Sequence, residues 1–271
     1  MVWVIASMVI AVTAVTGKTA EISTPASQAS ALDAAAAISE SVLWSFGATG
    51  DEGTFPFAGL IADKHGNLYG TTSGGGRENC ASSSNGCGTV FELSPPSGKQ
   101  KQWTEHVLWS FGATSGDGEN PFAGLIADRE GNLYGTTFTG GTIGFGGTVF
   151  ELSPPTGKQT QWTENILWSF GASGDGLSPN GVLLADKSGN LYSTTVGGGA
   201  NGAGTVSELS PPARKQTHWT ENLLWSFGET SDDGTTPTAG LIADKGGNLY
   251  GTTAEGGGTH SIGTVFELSR P

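Results

Sequence analysis

GLIADKHGNLYGTT at residues 59–72 returns as GLIADREGNLYGTT at 124–137, GVLLADKSGNLYSTT at 181–195 and GLIADKGGNLYGTT at 240–253. Within each copy, two short β-type runs flank Asp-x-x-Gly-Asn, the chemistry of a tight hairpin turn in which Gly and Asn accept positive φ. Downstream lies GTVFELSPP at 88–96 and 147–155, with GTVSELSPP at 204–212 and GTVFELSRP at 263–271. There the prolines stop a third run, because proline cannot donate to a β ladder. A fourth run ends in Leu-Trp-Ser-Phe at 43–46, 108–111, 167–170 and 224–227, so the repeats measure 57–65 residues. Its apolar residues fall on both faces, as in Val107, Leu108, Trp109 and Phe111. That pattern belongs to a sheet sandwiched between neighbours.

Four-stranded units repeated radially make a β-propeller. The expected fold is therefore all-β: a four-bladed β-propeller of four-stranded antiparallel blades. The last unit stops before a fourth run, and a spare copy stands at Ser41–Phe46. Strand 41–46 is expected to complete the last blade and remove both exposed edges. A stacked solenoid shares this repeat signature, and a larger ring could be shared by several chains. The first runs begin with Ala58-Gly59, Ala123-Gly124 and Ala239-Gly240, small residues suited to a crowded axis.

The chain has 45 Gly in 271 residues, against a usual share of roughly 7%. Its net charge of −13 argues against nucleic-acid binding, which leaves a basic footprint. Eight Trp and 36% hydrophobic residues argue against disorder. Residues 1–40 are read as a signal or anchor segment plus linker, and 41–271 as the repeat domain. Residues 2–16 are uncharged and apolar, shorter than the roughly 20 residues of a membrane helix, and fit a secretory signal. The basic residues that should precede such a run are missing; an uncleaved anchor is the competing reading. A secreted, periplasmic or cell-surface location is expected, with no stable membrane span in the mature form. Cys80 and Cys87, the two cysteines, share one loop insertion. In an exported protein they are expected to form a disulfide, a local staple outside the repeated core.

On the repeated GLI-x-D-x-x-GNLYGTT…GG…GTVF-x-L pattern, the chain resembles bacterial GloVer-type tandem-repeat proteins, the "choice-of-anchor" surface or exported proteins. All four units match over nearly all of 41–271; the third departs with Ser193 for Gly and Ser207 for Phe. The resemblance implies an exported repeat protein without established catalytic residues.

Tyrosines occur only at 69, 134, 192 and 250, one per unit, and residues equivalent in every copy are the mark of packing. Asp63, Asp128, Asp186 and Asp244 open the hairpins, and nothing selects two of them as an acid/base pair of the kind hydrolases separate by environment. No His-Glu-x-x-His and no Gly-x-Ser-x-Gly occurs. Catalytic residues are therefore expected to be none. In an up-and-down blade the loops leaving runs two and four share one end. They carry Asp51, Asp117, Glu119, Asp175, Asp232 and Asp233 among their acids, and Arg77 as their one cation. This acidic face is the expected ligand-binding face. No cofactor is expected; Ca²⁺ is the one candidate, if Asp-Gly loops converge to supply its six to eight oxygens. The function expected is a non-enzymatic binding or interaction scaffold whose partner is an extracellular glycan or protein. The competing class is a secreted polysaccharide-acting hydrolase or lyase using acids of the same face.

Overall fold

The computed structural model describes residues 39–48, 51–77, 80, 84–213 and 216–269. The apolar run 2–16 and nearly all of the segment to residue 40 lie outside them.

Each unit grows from its hairpin turn. One oxygen of the Asp63 carboxylate accepts the backbone amides of His65 and Asn67 at 2.8 and 2.9 Å. The other accepts the Asn67 side-chain amide at 2.9 Å and the Tyr69 hydroxyl at 3.3 Å. Asp128 with Asn132 and Tyr134, Asp186 with Asn190 and Tyr192, and Asp244 with Asn248 and Tyr250 repeat the clamp. Asp, Gly, Asn and Tyr recur together because one carboxylate ties them into a single turn.

From these turns grow antiparallel meanders. Unit 1 runs Ile61–Ala62, Leu68–Thr72, Thr89–Ser94 and Thr104–Ser110. Unit 2 runs Ile126–Ala127, Leu133–Thr137, Thr148–Ser153 and Thr163–Ser169. Unit 3 runs Leu184–Ala185, Leu191–Gly198, Thr205–Ser210 and Thr220–Ser226, and unit 4 has Ile242–Ala243, Leu249–Thr253 and Thr264–Leu268 alone. The first strand of each is two residues long, shorter than the apolar run around it. A leading strand not anticipated from sequence joins each unit, as Gly53–Thr54 pairs with Gly74–Gly75 and Gly118–Glu119 with Thr139–Gly140. The third and fourth strands slip register at Val90/Phe91, Val149/Phe150 and Val206/Ser207, a bulge that raises local twist. Among the described residues the single helical element is the 3₁₀ turn Gly258–His260.

The core lies between consecutive units. Phe111, ending the fourth strand of unit 1, packs with Val90, Leu125, Phe150 and Leu152. Its ring meets Phe150 edge-on at 5.1 Å, and Phe227 meets Phe266 at 5.0 Å. Phe150 in turn lies over Gly135: a Cβ there would sit 2.6 Å from the ring tip, and at Gly70 and Gly251 it would be 2.7 and 2.5 Å from Phe91 and Phe266. Unit 3 replaces this Gly–Phe cross-strand pair with Ser193 and Ser207, directly opposite each other. Its two departures from the repeat are thus one compensated change.

Two expectations are corrected. Ser41–Phe46 forms no strand and does not pair with Thr264–Leu268. Instead, Phe46 stacks edge-on against Phe91 of unit 1 at 4.9 Å, the place a preceding unit's Phe would take. The open edge of unit 4 leaves Val265 82% exposed, while its equivalents Val90, Val149 and Val206 are 0% exposed. The cysteine staple does form, between Cys80 and Cys87. It is not peripheral to the repeated core, since Cys87 is fully buried beside Val90 and Phe111.

Candidate functional site

The acidic face assembles where each unit joins the next, and most of its carboxylates are used by the backbone. Asp117 accepts the Ala113 amide at 2.8 Å through one oxygen and the Gly118 amide at 2.7 Å through the other. Asp175 accepts the Gly176 amide at 2.6 Å and the Trp168 indole N–H at 3.4 Å. Asp233 holds the amides of Gly228 and Gly234, each at 2.8 Å. In unit 1 the equivalent residue is Glu52, not Asp51: its Oε2 accepts the Gly47 and Ala48 amides at 3.0 and 2.8 Å. Asp117, Glu119 and Asp175 are buried, whereas Asp51 and Asp232 are exposed and Asp233 is half-buried.

A second row of acids faces the first. Glu105, Glu164 and Glu221 stand at one position of the fourth strands, each after Trp-Thr. Burial, and then the charge of Asp117 beside it, pushes the Glu164 carboxyl up to about 9. Burial likewise raises Asp117 above the usual carboxylate range, against the turn amides that lower it. Burial and then the nearby Glu52 charge raise Glu105 to about 7. Glu221 reaches about 7 through burial and the charge of Asp175, although it accepts the Ser207 hydroxyl at 2.6 Å. Two carboxyls in a half-dry place cannot both ionise cheaply, so Glu105, Glu164 and Glu221 are each held above the usual carboxylate range. The repeated Trp-Thr-Glu was the available signal for this row. Its meaning depends on a turn far upstream in sequence, which strand spacing does not reveal.

Among the described residues, no three His, Cys, Asp or Glu side chains are grouped to hold a metal ion. Beside the unit 1 couple opens a cleft of about 480 Å³ lined by Asp51, Gly76, Arg77, Glu105, Val107 and Ser110. It brings together Asp51 and Arg77 of the acidic face with Glu105. A row of phenylalanines crosses the same end of units 1 and 2. Phe57 lies 5.9 Å from Phe122, which meets Phe138 edge-on at 5.3 Å. Phe57 is 68% exposed. Asn180 and Thr238 take the place of Phe57 and Phe122 in units 3 and 4, so this row breaks the repeat. Because these rings do not recur from unit to unit, the repeat pattern carries no signal for them.

The family pattern described as the Gloeobacter/Verrucomicrobia repeat matches residues 32–164 and 79–271. A protein of unknown function from Dyadobacter fermentans is similar at 13% identity and a TM-score of 0.44, over 79% of this chain and 65% of that one. The chain thus spans about two thirds of that neighbour's length. No curated protein matches. No helix among the described residues is long and apolar enough to cross a membrane.

Proposed function

Because the chain belongs to the Gloeobacter/Verrucomicrobia repeat family, we propose that it is an exported, non-enzymatic binding scaffold acting at or outside the cell envelope. Its ligand lies on the loop-rich end of units 1 and 2, and a glycan is the favoured class. The observation that carries this reading is the non-repeated row Phe57, Phe122 and Phe138, with Phe57 68% exposed. An exposed aromatic face gives a flat apolar platform, and the Asp51, Arg77 and Glu105 cleft of unit 1 offers polar groups that orient a polar ligand. Export is supported by the apolar run 2–16 and by the Cys80–Cys87 disulfide, a bond that persists in oxidising compartments. The four units are read as blades arranged about an axis. Supporting this, a Cβ at Gly124 would touch Gly59 of unit 1 at 3.3 Å and Val182 of unit 3 at 3.5 Å.

The test is binding to an array of cell-envelope polysaccharides by wild type, Phe57→Ala, Phe122→Ala and Arg77→Ala. Glycan retention by wild type that each variant weakens at least tenfold supports the reading. Retention unchanged in all three variants contradicts it.

One observation favours the enzyme reading: Glu164 is held protonated near neutral pH beside Asp117, the separation of roles an acid/base pair requires. Release of reducing ends or unsaturated sugars that Glu164→Gln abolishes would establish it.

A further inference from the structure

The internal junctions of the array share four devices, three of them at every junction and the third, a threonine hydrogen bond, at two of the three junctions. A residue with φ near +60°, Asn120, Ser178 or Thr236, donates its amide to the preceding unit at Cys87, Gly146 or Ala203, at 2.7, 2.7 and 2.8 Å. The proline that follows, Pro121, Pro179 or Pro237, is buried over Gly88, Gly147 or Gly204 of that preceding unit. The third device is a threonine of the second strand: Thr71 and Thr194 donate to the carbonyls of Ala123 and Ala239 in the next unit, at 2.9 and 2.8 Å. The fourth is the Phe that ends the fourth strand, pressed on the next unit's core.

The two ends of the chain carry the unmatched halves of this junction. On unit 1, Phe55 holds φ of 61°, the strained conformation of Asn120, with its ring 51% exposed; Pro56 is exposed where its equivalents are buried. A non-glycine residue keeps such a backbone where its surroundings demand it. On unit 4, Ile262 and Val265 are 83% and 82% exposed, and Thr252 is exposed where Thr71 and Thr194 are buried. A Cβ at Gly59 would meet nothing within 4 Å, so among the described residues unit 1 has no neighbour at that point. The spare Glu40–Phe46 is also seated for use. Phe46 already presses on Phe91, and the extended-type segment it ends pairs with no sheet.

We propose that a second copy of this chain docks head to tail, its Glu40–Phe46 segment completing the fourth sheet of the first. By the register of Thr89 with Ser110 and Val90 with Trp109, Thr264 would face the partner copy's Ser45, and Val265 its Trp44. The Phe55 amide would donate to the Ile262 carbonyl, as Asn120 does to Cys87. Glu40 aligns with Glu105, Glu164 and Glu221, so it would stand beside Asp233, the one turn acid of the row without such a companion in its own sheet. A heterologous junction of this kind closes into a ring when the rotation allows. Two chains would make an eight-unit ring, within the roughly 4–8 blades that propellers use. The junction is independent of what the loop-rich end binds.

The test mixes two single-cysteine variants, Ser45→Cys and Val265→Cys, both at exposed positions, and adds a short bis-maleimide. The native cysteines do not react because they are paired. Expected is a cross-linked species of twice the chain mass that needs both variants, together with a sedimentation dimer that Val265→Asp reduces to monomer. Val265→Asp should keep the wild-type melting profile measured on dilute protein, since the side chain is exposed in the single chain. Two results overturn the proposal. One is cross-linking confined to a chain that carries both cysteines. The other is a monomer at every concentration with no cross-link.

Discussion

Ser193 and Ser207 occupy positions where units 1, 2 and 4 pair a glycine with a phenylalanine ring, and their relation is a volume trade. Restoring the ring alone, by Ser207→Phe, should drive it into the Ser193 side chain and break the Ser207–Glu221 hydrogen bond. A loss of about 1–3 kcal/mol in denaturant unfolding is expected. Adding Ser193→Gly should recover most of it, and a double-mutant cycle reads the coupling directly. Additive losses would show that the two departures are unrelated. The carboxyl couples set the response to pH. Glu105, Glu164 and Glu221 are raised in the folded chain above the usual carboxylate value near 4.3. The folded state therefore binds protons that the unfolded state has released. This stabilisation is complete below about pH 4 and is lost as pH rises through about 7 and then 9. The melting temperature should fall between pH 5 and 9, and Glu164→Gln should flatten the upper part of that fall. A melting temperature that rises across the same range would contradict the couples.

At the scale of the element, the hairpin turn is where sequence and structure agree most closely. Asp-x-x-Gly-Asn-Leu-Tyr is a local object: its carboxylate, amides and hydroxyl lie within seven residues, so spacing alone reveals it. Removing the clamp in the middle of the array, by Asp128→Ala, should cost about 1–3 kcal/mol, since it leaves the Asn132 amides without their carboxylate acceptor, while the Tyr134 hydroxyl keeps Glu151. Asp244→Ala in the last unit should cost less, because there the Asn248 and Tyr250 groups bond in an exposed setting where water replaces the acceptor. Equal losses at the two sites, measured as denaturant midpoints at constant slope, would mean that flanking units do not matter to the turn. The staple is a second element. Paired Cys→Ser substitution at 80 and 87 should lower stability by roughly 2–3 kcal/mol on the loop-entropy account. The loss should concentrate at the junction of units 1 and 2, where Cys87 packs under Phe111. The Glu105–Glu164–Glu221 row stayed hidden for the opposite reason to the turn. Each acid meets its companion from the turn that leads into its own unit, Glu52, Asp117 or Asp175, far upstream in sequence, and a strand position says nothing about that.

For the whole molecule, the repeat phase set a Leu-Trp-Ser-Phe segment at 43–46 against an open edge in the last unit. It could not say which chain joins them, because Ser41–Phe46 fits the open edge equally well from its own chain or from another. Phe46 on unit 1 suits either arrangement; what the structure shows is that Ser41–Phe46 pairs with no strand and unit 4 keeps a bare edge. An edge strand with unpaired amides and an exposed Val265 is a docking template, and the array is unfinished until something pairs with it. Amide hydrogen exchange of Thr264–Leu268, followed as protein concentration is raised, tests this most directly. The account predicts that the outward amides of this strand exchange freely in dilute protein and become protected on concentration. Those of Thr148–Ser153 should stay protected throughout. Protection of Thr264–Leu268 that is full and independent of concentration would contradict it, because the edge would then be closed within a single chain.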